Sequence, residues 1–179
     1  MKTKLSCALF CLVSLLVLAP PSHAQADYTA IKNSRIEVGA GYLFLKPDYV
    51  ETNIQGIGIW GDYDFFKYVG VEASVDLGTI ITPSDINETS YQVGPRFLYH
   101  HRKFTGYGKI LFGRATITNT ETNLSSSYNM YSFGGGLEYK LKRRINIRVI
   151  DFDYQQWPNF EPHTLSPVAI TFGASYIIR

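Results

Sequence analysis

The chain has 179 residues, 45% of them hydrophobic and 15% aromatic, with 17 Lys and Arg against 15 Asp and Glu. Two of those cations, Lys2 and Lys4, belong to a leader-like start, so the formal charge of +2 disappears from the remainder. A near-neutral chain of this kind lacks the basic surface that phosphate recognition needs, which excludes DNA and RNA as partners.

Lys2 and Lys4 precede an apolar run from Leu5 to Leu18, broken only by Ser6 and Ser14, and Pro20-Pro21-Ser22-His23-Ala24 ends in small residues that suit a signal peptidase. The expectation is a cleaved signal over residues 1–24, with cleavage after Ala26 as the second fit. An apolar run of about 14 residues is too short for the ~20 that span a bilayer. Cys7 and Cys11 both lie within the signal, so residues 25–179 contain no thiol for a disulfide, a nucleophile or a thiolate metal site. Those residues read as one domain without a linker.

Behind the signal, alternation of period two predicts eight strands, at 34–46, 54–63, 68–78, 90–99, 105–115, 130–140, 145–154 and 167–179. In the first, Ile36, Val38, Ala40, Tyr42 and Phe44 share one face, and Arg35, Glu37, Gly39 and Gly41 share the other. The third sets Val69, Val71, Ala73, Val75 and Leu77 against Gly70, Glu72, Ser74 and Asp76. The fourth sets Tyr91, Val93, Pro95 and Phe97 against Gln92, Gly94 and Arg96. In the fifth the faces are ambiguous, because Tyr107 and Leu111 lie on the Lys109 side. The sixth opposes Tyr131, Phe133, Leu137 and Tyr139 to Ser132, Gly134, Gly136 and Glu138. The seventh changes phase between Arg148 and Asp151, and a β-bulge near Ile150 would restore the alternation. The eighth places Thr171, Gly173 and Ser175 opposite Ile170, Phe172, Ala174 and Tyr176.

Connection lengths alternate too. Tight turns at 63–68, 100–104 and 140–145 contrast with longer polar links at 46–53, 79–89, 116–129 and 155–166, the asymmetry of an up-and-down barrel with short periplasmic turns and long extracellular loops. His100-His101-Arg102-Lys103, Lys67 and the run from Lys140 to Arg144 read as charged turn tips. A secreted barrel with an apolar interior would alternate equally well. Glycine argues against it: Gly39, Gly41, Gly56, Gly58, Gly70, Gly94, Gly134, Gly136 and Gly173 all lie on the polar face, where a soluble exterior gains nothing from weakening its strands. The interior of an eight-stranded barrel is just wide enough to be filled by side chains, and small residues there leave room for long charged ones. Aromatic residues near strand ends on the apolar face, such as Tyr63, Tyr68, Tyr99 and Tyr176, suit membrane girdles. The expected fold is therefore all-β, an eight-stranded antiparallel up-and-down transmembrane β-barrel over residues 25–179.

The segment Phe133-Gly134-Gly135-Gly136-Leu137-Glu138-Tyr139, its continuation Ile147 to Tyr154, and the closing Ile170 to Tyr176 resemble the OmpA/OmpX-like outer-membrane proteins, and the likeness covers the whole region behind the signal. It implies a bacterial outer-membrane location, with outer-membrane lipid or lipopolysaccharide and the outer-membrane assembly machinery as partners and a monomer favoured. Family members usually finish on an aromatic residue, whereas this chain ends Tyr176-Ile177-Ile178-Arg179.

Candidate chemistry lies inside the barrel. Glu37, Glu72, Asp76, Arg96, Lys109, Glu138 and Arg148 are expected to point inward, with Asp151 or Asp153 added by the bulge. Paired carboxylates can act as acid and base, but opposite charges in a narrow lumen are more simply a belt of ion pairs, since an unpaired buried charge costs several kcal/mol. The expected pairing is Glu72 with Arg96 and Glu138 with Arg148, with Lys109 between. His100, His101 and His163 are too dispersed for a metal site. His163 and Ser166 fit a loop, no strand carries His-x-Ser, and no helix follows Gly134-Gly135-Gly136 to make a phosphate cradle. We therefore expect no enzyme, no catalytic residue, no cofactor and no metal. The leading function is a structural or narrow-pore barrel. The alternatives are a loop-borne adhesin or ligand binder, supported by Tyr49, Trp157, Phe160 and the stretch 116–129, and a lipid A-modifying barrel.

Overall fold

A computed structural model describes residues 34–48, 53–78, 80–81, 86–119, 124–158 and 164–178; the expected signal lies outside them. Eight strands form, β1 (Arg35–Lys46), β2 (Ile54–Asp64), β3 (Val69–Leu77), β4 (Ile86–His101), β5 (Phe104–Asn119), β6 (Leu124–Lys142), β7 (Ile145–Gln156) and β8 (Val168–Ile177). Each pairs antiparallel with its sequence neighbour, and β1 pairs with β8 to close the barrel. Closure satisfies every edge, which a strand in hydrocarbon requires.

The alternation sorts the wall as hydrophobicity dictates. Val38, Ile59, Val93, Phe112, Phe133 and Phe172 stand on the outside, between 41% and 58% exposed, while the polar residues opposite them are buried within. In β5 the ambiguity resolves with Tyr107, Lys109 and Leu111 all inward, at 7%, 3% and 0% exposure. Strand β7 carries the bulge: Arg148 and Asp151 both face inward, Val149 and Ile150 both face out, and the register with β8 shifts by one residue between Arg148 and Asp151. Glycine serves the lumen by absence. A Cβ on Gly39 would run into the Trp60 indole, and one on Gly136 would lie 2.6 Å from the Tyr107 hydroxyl.

Two expectations need correction. The stretch 116–129 is largely strand, because β5 and β6 extend as a hairpin in which Thr116 pairs with Ser127 and Thr118 with Ser125, their hydroxyls 2.9 and 3.3 Å apart. β-branched Thr and Ile sustain the extended backbone, and beyond the hydrocarbon neither face needs to be apolar, so the sequence signal fades before the strand does. The lumen, in turn, is polar over only part of its length. Toward the long connections it is filled by Leu43, Leu45, Ile54 and Ala169 on one side and by Ala115, Met130, Trp157 and Leu165 on the other.

Candidate functional site: the charged lumen

Below those apolar clusters, toward the tight turns, buried charges from seven strands meet. Arg148 on β7 is their hub. Its Nη2 lies 3.0 Å from Glu72, 3.2 Å from Asp62 and 3.4 Å from Glu138, and its Nη1 lies 3.1 Å from Asp151. Its guanidinium also sits 4.1 Å from the ring centroid of Trp60 and 5.1 Å from that of Tyr107. Arg96 on β4 pairs with Asp62, with Glu138 at 3.0 Å and with Glu72 at 3.7 Å, and lies 4.5 Å from the Tyr107 centroid. Lys109 on β5 spreads its ammonium over Glu72 at 2.8 Å, Asp151 at 2.6 Å and Asp153 at 2.8 Å. Planar guanidinium suits this arrangement, since it can stack on a ring while its edge serves several carboxylates.

Arg35, at the turn end of β1, closes the network below, 3.0 Å from Asp64, 3.3 Å from Glu37 and 3.6 Å from Glu138. Four cations thus face seven carboxylates, and neutral donors supply what is missing. Asn146 gives Nδ2 to both oxygens of Glu37, at 2.9 and 3.1 Å, and Ser175 donates its hydroxyl to the same carboxylate. Asp76 sits higher, outside this network among the described residues, and accepts from Ser90 at 3.2 Å and Gln92 at 3.4 Å. Gln92 in turn accepts from Ser132 at 2.8 Å, which ties β3, β4 and β6 together.

The geometry corrects the simple two-pair scheme. Glu138 and Arg148 do stand opposite each other across β6 and β7, but Glu72 is opposite Gly94 and Arg96 is opposite Gly70. Glu72 and Arg96 are therefore diagonal neighbours on adjacent strands, 3.7 Å apart, and Glu72 has closer partners in Lys109 and Arg148. The residues that sequence reasoning passed over are Asp62, Asp64 and the stacking platforms Trp60 and Tyr107. Parity would have found Trp60, Asp62 and Asp64, because they continue the Gly56–Gly58 face of β2.

Chemically, the cluster binds itself. Oxygens of Glu37, Asp62 and Glu138 lie within 4.8 Å of one another, close enough to share a metal ion, yet Arg35, Arg96 and Arg148 engage these same carboxylates. A cation added among three guanidiniums would meet repulsion at short range. A void beside Lys109, Arg148 and Asp151 measures about 10 Å³, room for one water and no substrate.

A closed eight-stranded wall, apolar outside and ionic within, defines a small transmembrane β-barrel. The chain belongs to the outer membrane protein beta-barrel domain family, whose pattern it matches over residues 10–177, and it is an outer-membrane protein. In sequence, no curated protein matches it. Among solved structures it is similar to Ail, the attachment invasion locus protein of Yersinia pestis, at 20% identity and a TM-score of 0.51, covering 81% of this chain and 97% of that one. It is also similar to the outer membrane protein OprG of Pseudomonas aeruginosa, at 11% identity and a TM-score of 0.59 over 82% and 96% of the two chains. The N-terminal barrel domain of Pseudomonas aeruginosa OprF matches at 13% identity, with a TM-score of 0.57 and coverage of 82% and 98%. These likenesses show the fold.

Proposed function

We propose that this outer-membrane protein is a structural barrel, a plugged wall element rather than an open pore or an enzyme, with its long connections extracellular and its tight turns periplasmic. The observation that supports this reading is the ion-pair layer centred on Arg148, which spans the lumen from β1 to β7 with the apolar clusters stacked above it. A solute would have to break several buried ion pairs at once. Lipid around the barrel and the assembly machinery that inserts it are its proposed partners, and it acts as a monomer without a cofactor.

The adhesin reading loses one of its supports. Trp157, counted as a loop aromatic, is 0% exposed and stacks on Tyr128 with ring centroids 6.2 Å apart. Tyr49 and Phe160 lie outside the described residues. Recording in planar bilayers tests the plug: the protein should insert without steady conductance, and large stable open levels would refute it.

A further inference from the structure

The turn end carries a charge pattern that the lumen does not use. Lys67 lies between β2 and β3, Arg102 and Lys103 between β4 and β5, and Lys140, Lys142, Arg143 and Arg144 around the β6–β7 turn, all of them exposed. The acidic groups nearest this rim, Glu37, Asp64 and Glu138, are buried and held by Arg35. At the opposite end the described cations are Lys46 and Arg114, with Asp48 exposed beside the first. A chain of balanced charge is thus strongly polarised along its axis.

The rim is also fixed in depth. Tyr68, Tyr99, Phe104 and Tyr176, between 45% and 70% exposed, form the girdle at this end. The Lys67 ammonium is 5.1 Å from the Tyr68 ring centroid, and Arg144 donates Nη1 to the Tyr176 hydroxyl at 3.1 Å. Exposed Phe66 and Leu141 alternate with the cations. Interfacial aromatics sit at headgroup level, so cations held against them stand where lipid phosphates lie. His100 sets the turns side by side. One ring nitrogen is 2.8 Å from the Lys67 carbonyl and the other 3.0 Å from the Thr105 hydroxyl, which ties the β2–β3 turn to the β4–β5 hairpin.

We propose that this basic rim is a docking surface for the phosphodiester headgroups of anionic phospholipid in the leaflet that meets the turns. The proposal rests on the reading of the turn end as periplasmic, where that leaflet is phospholipid. A soluble acidic polymer would match the charge but would leave Phe66, Leu141 and the girdle contacts without a role. Attraction of clustered Lys and Arg to an anionic leaflet acts within a Debye length, about 8 Å at physiological salt, so the cations must lie at the surface as these do.

The test is lipid retention. The full chain is expressed, extracted from outer membranes and equilibrated in micelles holding equal phosphatidylglycerol and phosphatidylcholine, and the lipids that copurify are quantified. The expected result is enrichment of phosphatidylglycerol by about threefold or more, declining as salt is raised. Arg102→Gln with Lys103→Gln, and separately Arg143→Gln with Arg144→Gln, should each remove a large part of that enrichment, whereas Lys46→Gln with Arg114→Gln should leave it intact. A heat-modifiability gel shift on each variant separates lost folding from lost binding, and the salt series on the parent needs no variant. Equal retention of the two lipids, enrichment indifferent to salt, or enrichment kept by both turn pairs overturns the proposal. So does binding to isolated peptidoglycan without a lipid preference. Labelling of Lys103→Cys by an impermeant thiol reagent in intact cells reads the orientation independently, so failure of one reading is distinguishable from failure of the other.

Discussion

The guanidinium of Arg148 lies over the Trp60 indole, 4.1 Å from its centroid, and Gly39 on β1 leaves the space that the indole fills. A missing side chain on one strand thus positions an aromatic ring on the next, and the ring positions the cation on which four carboxylates converge. The ionic layer depends on this steric chain as much as on charge.

Replacing Arg148 with Ala should strand buried carboxylates and destabilise the barrel by about 3–5 kcal/mol. Arg148→Lys should recover only part of that loss, because an ammonium cannot stack on Trp60 and serve several carboxylates in a plane. Denaturant unfolding in detergent, followed by tryptophan fluorescence, measures both. An Arg148→Ala barrel as stable as its parent would mean that the layer contributes nothing.

Gly39→Ala and Gly106→Ala should separate sharply. The first drives a methyl group into Trp60, whereas a Cβ at Gly106 meets nothing within 4 Å. The expected cost at Gly39 is about 1–3 kcal/mol, as for overpacking elsewhere, and near zero at Gly106. The temperature at which the folded gel band is lost reports the difference.

Trp157→Ala removes the largest side chain from the apolar cluster of Ala115, Met130 and Leu165. The cost should be about 3–5 kcal/mol. Circular dichroism should still show a full β signal, since the substitution empties a cavity without breaking the ladder. Loss of binding to a surface ligand at unchanged stability would instead restore Trp157 to an adhesive role.

Arg placed at Val93 or Phe172, on the outer wall, should cost about 2–4 kcal/mol at the bilayer midplane. Arg at Thr116 or Ser126, on the β5–β6 hairpin beyond the wall's apolar band, should change little. Folding equilibria into lipid vesicles give the comparison, and equal costs at the two kinds of site would invert the assignment of the faces.

The wall was legible in sequence because alternation of period two is a property of the chain alone. Val71, Val93 and Phe172 outside and Glu72 and Arg96 inside follow from parity once the glycines of the polar face decide which face looks inward. The lumen's contacts were less legible, because they form across the barrel rather than along it. Nothing adjacent to Asp62 in sequence announces Arg96 and Arg148, and nothing about Trp157 among loop-like residues announces Tyr128. The ends of β4, β5 and β6 were hidden for a different reason: outside the bilayer the apolar face is no longer needed, while backbone pairing continues.

The bulge in β7 makes Val149 and Ile150 together oppose the single residue Phe172. Where strands pair without a bulge, removing one residue would turn every later side chain of the strand inside out, sending acids into hydrocarbon and valines into the lumen. At this place the chain carries a spare. Deleting Ile150 would leave Arg148 inward, Val149 outward, and Asp151 and Asp153 inward, an unbroken alternation. Strand β7 is therefore a place where the barrel tolerates a change in length without a change in which side faces the membrane.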